Sequence, residues 1–295
     1  MSKLKYLVND PRQLNVQFYQ DYDPNFLFNK MRTILVAIYN KDAFRKLLEE
    51  SDPFYTPPDE KFYEGLRAEI YFVEFHQFEA FMALILAWFQ ELPHWVYLTT
   101  YDTREIKEAA KNLTDGRFDL LSKGLATTED EFVRLGIYSG FDLAEEAERE
   151  KWKEKRERTA RLLKELAARY LVAIEYNSYK HGLRVMTNES EFAITPDNHP
   201  EQVLLHVKSE DSISFLELEK DAKDKSVRIP YRAVKHFNIK ESINYIYAMH
   251  IYCSQIKKTR QALLNGTKDF EMATVSIDEE RWQAEKTYFK LRMTV

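Results

Sequence analysis

The chain has 295 residues, 44% of them hydrophobic and 31% charged, with 43 basic against 48 acidic side chains and a formal net charge of −5. These proportions describe a packed globular chain and exclude a disordered acidic tail, a collagen-like repeat or a disulfide-stapled mini-protein. The single cysteine, Cys253, excludes an internal disulfide and a four-cysteine zinc site, and none of the seven glycines lies in a Walker or Rossmann phosphate cradle.

Met1 to Asp10 carries two lysines without the apolar run of a signal peptide, so the chain reads as cytoplasmic. From Pro24 to Glu50 the residues Phe26, Ile34, Ala37, Ile38, Phe44, Leu47 and Leu48 recur at helical spacing, and Ser51-Asp52-Pro53 ends the segment. A second helix is predicted from Pro58 to Leu92, where Pro93 stops it. Its most apolar stretch, Phe78 to Trp88, is too short to span a membrane and reads as a buried core helix. Residues 94–138 suggest short helices with Gly and Thr-Asp breaks.

A third helical region is predicted from Asp142 to His181, with Leu163, Leu166, Ala167, Tyr170 and Ile174 on one face and Gly182 at the C′ position. Strand-like patterning follows at 183–195, 202–207, 212–218 and 227–231, read as three or four antiparallel strands. Helical spacing returns from Ile239 to Leu264 and closes at Asn265-Gly266. The tail from Phe270 to Val295 reads as strand, short helix, strand. The fold expected is mainly α: a bundle of long antiparallel helices with a small inserted antiparallel β-sheet. Its parts are a helical bundle over 1–182, a β insertion over 183–237, a returning helix over 238–266 and a tail over 267–295.

Continuing the third helix's apolar face by threes and fours adds Asn177 and His181. An inward amide and imidazole each need partners, since an unpaired buried group costs about 1–3 kcal/mol. The second helix offers them: Glu69, His76 and Glu79 share one stripe amid Ile70, Val73, Phe75 and Phe78. Two readings follow. In one, His181 is an acid, base or phosphate ligand at a site. In the other, the same residues hold the bundle together.

The run Tyr176-Asn177-Ser178-Tyr179-Lys180-His181-Gly182 resembles the signature of the HEPN superfamily. That signature is an arginine, a polar residue that is often asparagine, three more residues and a histidine, frequently followed by glycine. The resemblance implies a late helix of a helical bundle and a homodimer in which two motifs face each other. It also implies either metal-independent RNA cleavage, as in prokaryotic defence and toxin systems, or non-catalytic binding of RNA or nucleotide. His181 takes the place of the family histidine, Asn177 that of the polar residue and Tyr176 that of the arginine. A tyrosine supplies no permanent positive charge, and Lys180 and Arg184 are the cations near enough in sequence to replace it. The resemblance calls for no metal and no cofactor.

Rival chemistries find less support. Glu-x-x-His occurs once, at Glu91–His94 across Pro93, whereas a dimetal bundle needs the motif on two helices, and no H-E-x-x-H or G-x-S-x-G occurs. Cys253 reads as a buried structural thiol. The run from Lys151 to Lys164 reads as a solvated, salt-bridged helix; the alternatives are a phosphate-backbone track with Trp152 as a stacking element, or an arm packed on a second copy. The expected function is thus a HEPN-like protein binding RNA or nucleotide, with ribonuclease activity weakened or lost. The alternative is a non-enzymatic interaction protein.

Overall fold

A computed structural model describes residues 10–143, 145–173, 175–176, 179, 185–187, 190–194, 205–209, 211–220, 226, 228–277 and 284–293. The fold is mainly α, with antiparallel strands inserted ahead of the last long helix. The first elements are α1 (Pro11–Asp21), α2 (Phe26–Tyr39), α3 (Lys41–Ser51) and α4 (Glu60–Ala87). Short helices follow: α5 (His94–Thr100), α6 (Thr103–Thr114), α7 (Phe118–Leu121) and α8 (Glu129–Gly136). Next come β1 (Phe141–Leu143), a 3-10 turn (Glu146–Glu148) and α9 (Arg149–Val172). The insertion holds β2 (Val185–Thr187), β3 (Ser190–Ile194), β4 (Leu205–Ser209), β5 (Ser212–Lys220) and β6 (Arg228–His236). The chain closes with α10 (Ile239–Leu264), β7 (Asp269–Ile277) and β8 (Ala284–Met293).

Local chemistry explains where these boundaries depart from expectation. Helix α1, which the periodicity missed, starts at Asp10-Pro11: Asp10 Oδ1 accepts from the Arg12 N–H at 2.9 Å and the proline opens the first turn. The helix expected over 24–50 breaks at Asn40, whose side-chain amide donates to the Val36 carbonyl at 3.2 Å in competition with the backbone ladder. Helix α4 stops at Ala87, short of Leu92, because Trp88, Phe89 and Gln90 turn back in i→i+3 bonds ahead of Pro93. Helix α10 ends as predicted, with Gly266 at φ 72° and the Thr267 N–H on the Ala262 carbonyl at 2.9 Å.

The helix expected from Asp142 is the largest correction. Asp142 lies in β1, paired antiparallel with β8 from Phe141↔Met293 to Leu143↔Leu291. Helix α9 then ends at Val172, and Ala173 is not helical, although Glu175, Tyr176 and Tyr179 sit in helical turns. The insertion pairs as β2-β5-β6 and β3-β4, and the tail joins β1 as β1-β8-β7.

The chain divides into two compact units. The first comprises Met1–Phe28, His76–Val172 and Tyr245–Val295; the second comprises Asn29–Phe75 and Ala173–Asn244. In the first unit α9 and α10 run antiparallel: Thr159 meets the Tyr252 hydroxyl at 3.0 Å, and Glu165 accepts from Tyr245 six residues later on α9 and seven earlier on α10. Gln77 Nε2 reaches Cys253 Sγ at 3.4 Å, which sets the second half of α4 beside α10. The most apolar window of α4 is long enough to cross a membrane, and 83% of it is buried within the protein. Helix α9 is solvated on one face only, with Lys151, Lys153, Glu154, Glu157, Arg158 and Arg161 exposed. Trp152, Lys155, Arg156 and Thr159 are buried, and Arg156 is held bidentately by Asp130 (2.5 and 3.1 Å) and by Asp142 at 2.9 Å. Trp152 packs against Tyr138 with ring centroids 4.6 Å apart, so its ring is not offered to a base. In the second unit, Arg67 of α4 pairs with Asp211 at 2.6 Å, just before β5.

Candidate functional site

Within the second unit, α4 carries an aromatic face built from Tyr71, Phe72 and Phe75. The turns after Ala173 pack on it. Tyr176 is 1% exposed, with its ring centroid 5.4 Å from that of Phe75. Tyr179 stacks on Phe72 at 3.9 Å with planes 13° apart. Its hydroxyl donates to Glu69 Oε2 at 2.7 Å, while Lys30 Nζ holds Glu69 Oε1 at 2.5 Å. Burial, and then the hydrogen bond to the Glu69 carboxylate, push the Tyr179 phenol above its ordinary range, so it remains a donor.

Glu175 was not singled out by its spacing, yet it is 1% exposed. Its Oε1 accepts from the Tyr71 hydroxyl and from Lys235 Nζ, the latter at 2.9 Å. Removing a carboxylate from water costs several kcal/mol, and two donors on one oxygen are the compensation. A carboxylate-bearing helix facing an aromatic helix was the available signal. One of the donors, Lys235, comes from β6, which is distant in sequence.

Of the predicted site residues, Asn177, Lys180, His181 and Arg184 lie outside the described residues. Tyr176 and Glu69 share the second unit. His76 and Glu79 belong to the first, where Glu79 Oε1 accepts from the Tyr170 hydroxyl at 2.6 Å. The stripe Glu69-His76-Glu79 is therefore divided, and each carboxylate has its own tyrosine.

The first unit contains a second polar cluster, which the sequence analysis did not single out. Arg260, 1% exposed, donates to the Tyr19 hydroxyl and to the Gly136 carbonyl, the latter at 3.1 Å. The Tyr19 hydroxyl in turn meets His94 Nδ1 at 2.8 Å. Burial, and then the Arg260 charge, hold the His94 imidazole down to about 3, which leaves it neutral and able to accept that proton. Arg260 was detectable: it continues the apolar stripe Met249, Cys253, Ile256 of α10, where a charge demands partners. Burial pushes the Cys253 thiol up to about 12, so it is inert as a nucleophile at neutral pH.

Among the described residues no group of three or more His, Cys, Asp or Glu side chains is arranged to hold a metal ion. Comparison with family models, curated proteins and solved structures finds no match for this chain.

Proposed function

We propose that the chain is a HEPN-like module that binds RNA or a nucleotide, as a cytoplasmic homodimer of a prokaryotic defence type, without cleaving it. The observation that carries this reading is Tyr176. Where the family has its arginine, this chain has a phenol ring 1% exposed and packed on Phe75, so the position presents no cation to a scissile phosphate. Asn177 and His181, with Lys180 and Arg184, are the binding groups in this reading.

The test is cleavage and binding of a single-stranded RNA oligonucleotide and of ADP, in EDTA, by wild type and His181→Ala matched for folding. The expected result is no cleavage by either protein and binding at least about tenfold weaker in the variant. Cleavage by wild type that is lost in His181→Ala makes the chain a metal-independent nuclease instead. A single species of one copy in light scattering removes the dimer.

A second reading is favoured by one observation: Glu69, Glu79 and Glu175 each have a tyrosine donor, so the polar residues of this region are engaged in holding the fold. On that reading the chain is a non-enzymatic interaction protein. Neither RNA nor ADP binds, and His181→Ala changes stability alone.

A further inference from the structure

The first unit carries an open cavity of about 550 Å³, in the size range of small-molecule sites. One face of α6 builds it: Glu105, Glu108, Ala109 and Asn112 recur at i, i+3, i+4 and i+7, while Ile106, Ala110 and Leu113 form the adjoining buried stripe. Leu86 at the end of α4, Leu121 of α7 and Tyr97 of α5 add apolar lining.

Asn112 sets a side-chain amide among the apolar residues of the wall. It lines the cavity at 9% exposure, and its side-chain amide makes no hydrogen bond among the described residues. Neither of its side-chain polar atoms is sealed from solvent, so the amide can meet whatever occupies the cavity, water or a polar group of a ligand. Glu105 and Glu108 stand one turn apart near it. Glu105 accepts from the Tyr97 hydroxyl at 3.3 Å, and neither carboxylate has a cationic partner among the described residues. Lys123, held after α7 at φ 53°, is the ammonium in the lining, so carboxylates outnumber it.

We propose that this cavity binds a small organic cation, an amine or guanidine carrying an apolar body. The charged head lies between Glu105 and Glu108, the body rests on Leu86, Leu121 and Tyr97, and Asn112 meets a polar atom of the ligand. A carboxylate ligand meets repulsion from Glu105 and Glu108, and a purely apolar one leaves Asn112 unpaired. The site is independent of the residues after Ala173.

The experiment is titration of the full chain with 2-phenylethylamine at neutral pH, followed by calorimetry and by the Asn112 side-chain amide resonances. 3-Phenylpropionate and 2-phenylethanol serve as the anionic and neutral matches. The expected result is saturable binding of the amine, at least about tenfold weaker binding of both matches, and about a tenfold loss in Glu105→Gln/Glu108→Gln. Both carboxylates are exposed, so that variant keeps its fold, which a melting curve checks. No saturable binding of the amine, equal binding of 3-phenylpropionate, or undiminished affinity in the double variant each overturns the proposal.

Discussion

Both units bury charges, and one from each, Arg260 and Glu175, shows two different ways of holding them. In the first unit the charge is a cation, Arg260, held by the Tyr19 hydroxyl, the Gly136 carbonyl and the rings of Tyr19 and Trp88 at 5.5 and 5.4 Å. In the second it is an anion, Glu175, held by the Tyr71 hydroxyl and by Lys235, whose side chain is 34% exposed. Dipoles and π faces serve the cation, and solvent has little access to them. The anion depends on a charge brought in from the surface. The first arrangement is insulated from ionic strength; the second is open to it.

The contrast is tested most severely by Arg260→Leu. Two acceptors lose their donor, two cation–π contacts vanish, and leucine leaves space behind. The expected loss is about 3–5 kcal/mol in chemical denaturation. A variant as stable as wild type would mean that guanidinium desolvation outweighs everything the cradle returns, and the comparison would collapse.

His94 gives the next largest effect, and it depends on pH. The folded imidazole stays neutral down to about 3, whereas the unfolded one takes a proton below about 6.5. Acid therefore favours the unfolded chain. The contribution of His94 is intact above about pH 6.5 and is lost, at about 1.4 kcal/mol per pH unit, as pH falls towards 3. His94→Gln keeps an acceptor for Tyr19 without the titration. Between pH 6.5 and 4.5 its stability should decline by about 2–3 kcal/mol less than that of wild type. Parallel pH curves for the two proteins would remove His94 from the acid sensitivity of the first unit.

A smaller loss is expected at the cradle's backbone. Gly136 donates no side chain because α8 comes close to α4: a Cβ there would lie 2.9 Å from Ile85 Cγ2. Gly136→Ala should cost about 1–3 kcal/mol, as the Ile85 methyl must move and the carbonyl that holds Arg260 moves with it. If thermal melting is unchanged, the approach is looser than the packing implies.

What the sequence disclosed follows the same division between local and distant causes. Helix α10 was legible to its last residue because its apolar stripe and Asn265-Gly266 are local signals. The inserted strands were legible as a region, because their alternation is local. Asp142 was misread because its strand exists only through pairing with β8, which lies far along the chain. The partners of Glu175 and Arg260 were not legible, since Lys235, Tyr71, Tyr19 and Gly136 converge on them only in the fold. The burial of Tyr176 required the aromatic face of α4, whose orientation no local spacing specifies.

Lys235→Met carries the smallest expected effect and is the sharpest probe of the contrast. The ammonium is removed, Tyr71 still donates to Glu175, and the half-exposed surface position lets water approach the freed oxygen. The expected cost is about 1 kcal/mol at 0.1 M salt. Raising the salt to about 1 M shortens the screening length from about 10 Å to about 3 Å, so the gap between wild type and Lys235→Met should narrow. The deficit of Arg260→Leu should stay constant over the same range, because no solvent-facing charge contributes to it. A Lys235 deficit that ignores salt would show that the ion pair is as insulated as the guanidinium, and the two units would then hold their buried charges by one mechanism rather than two.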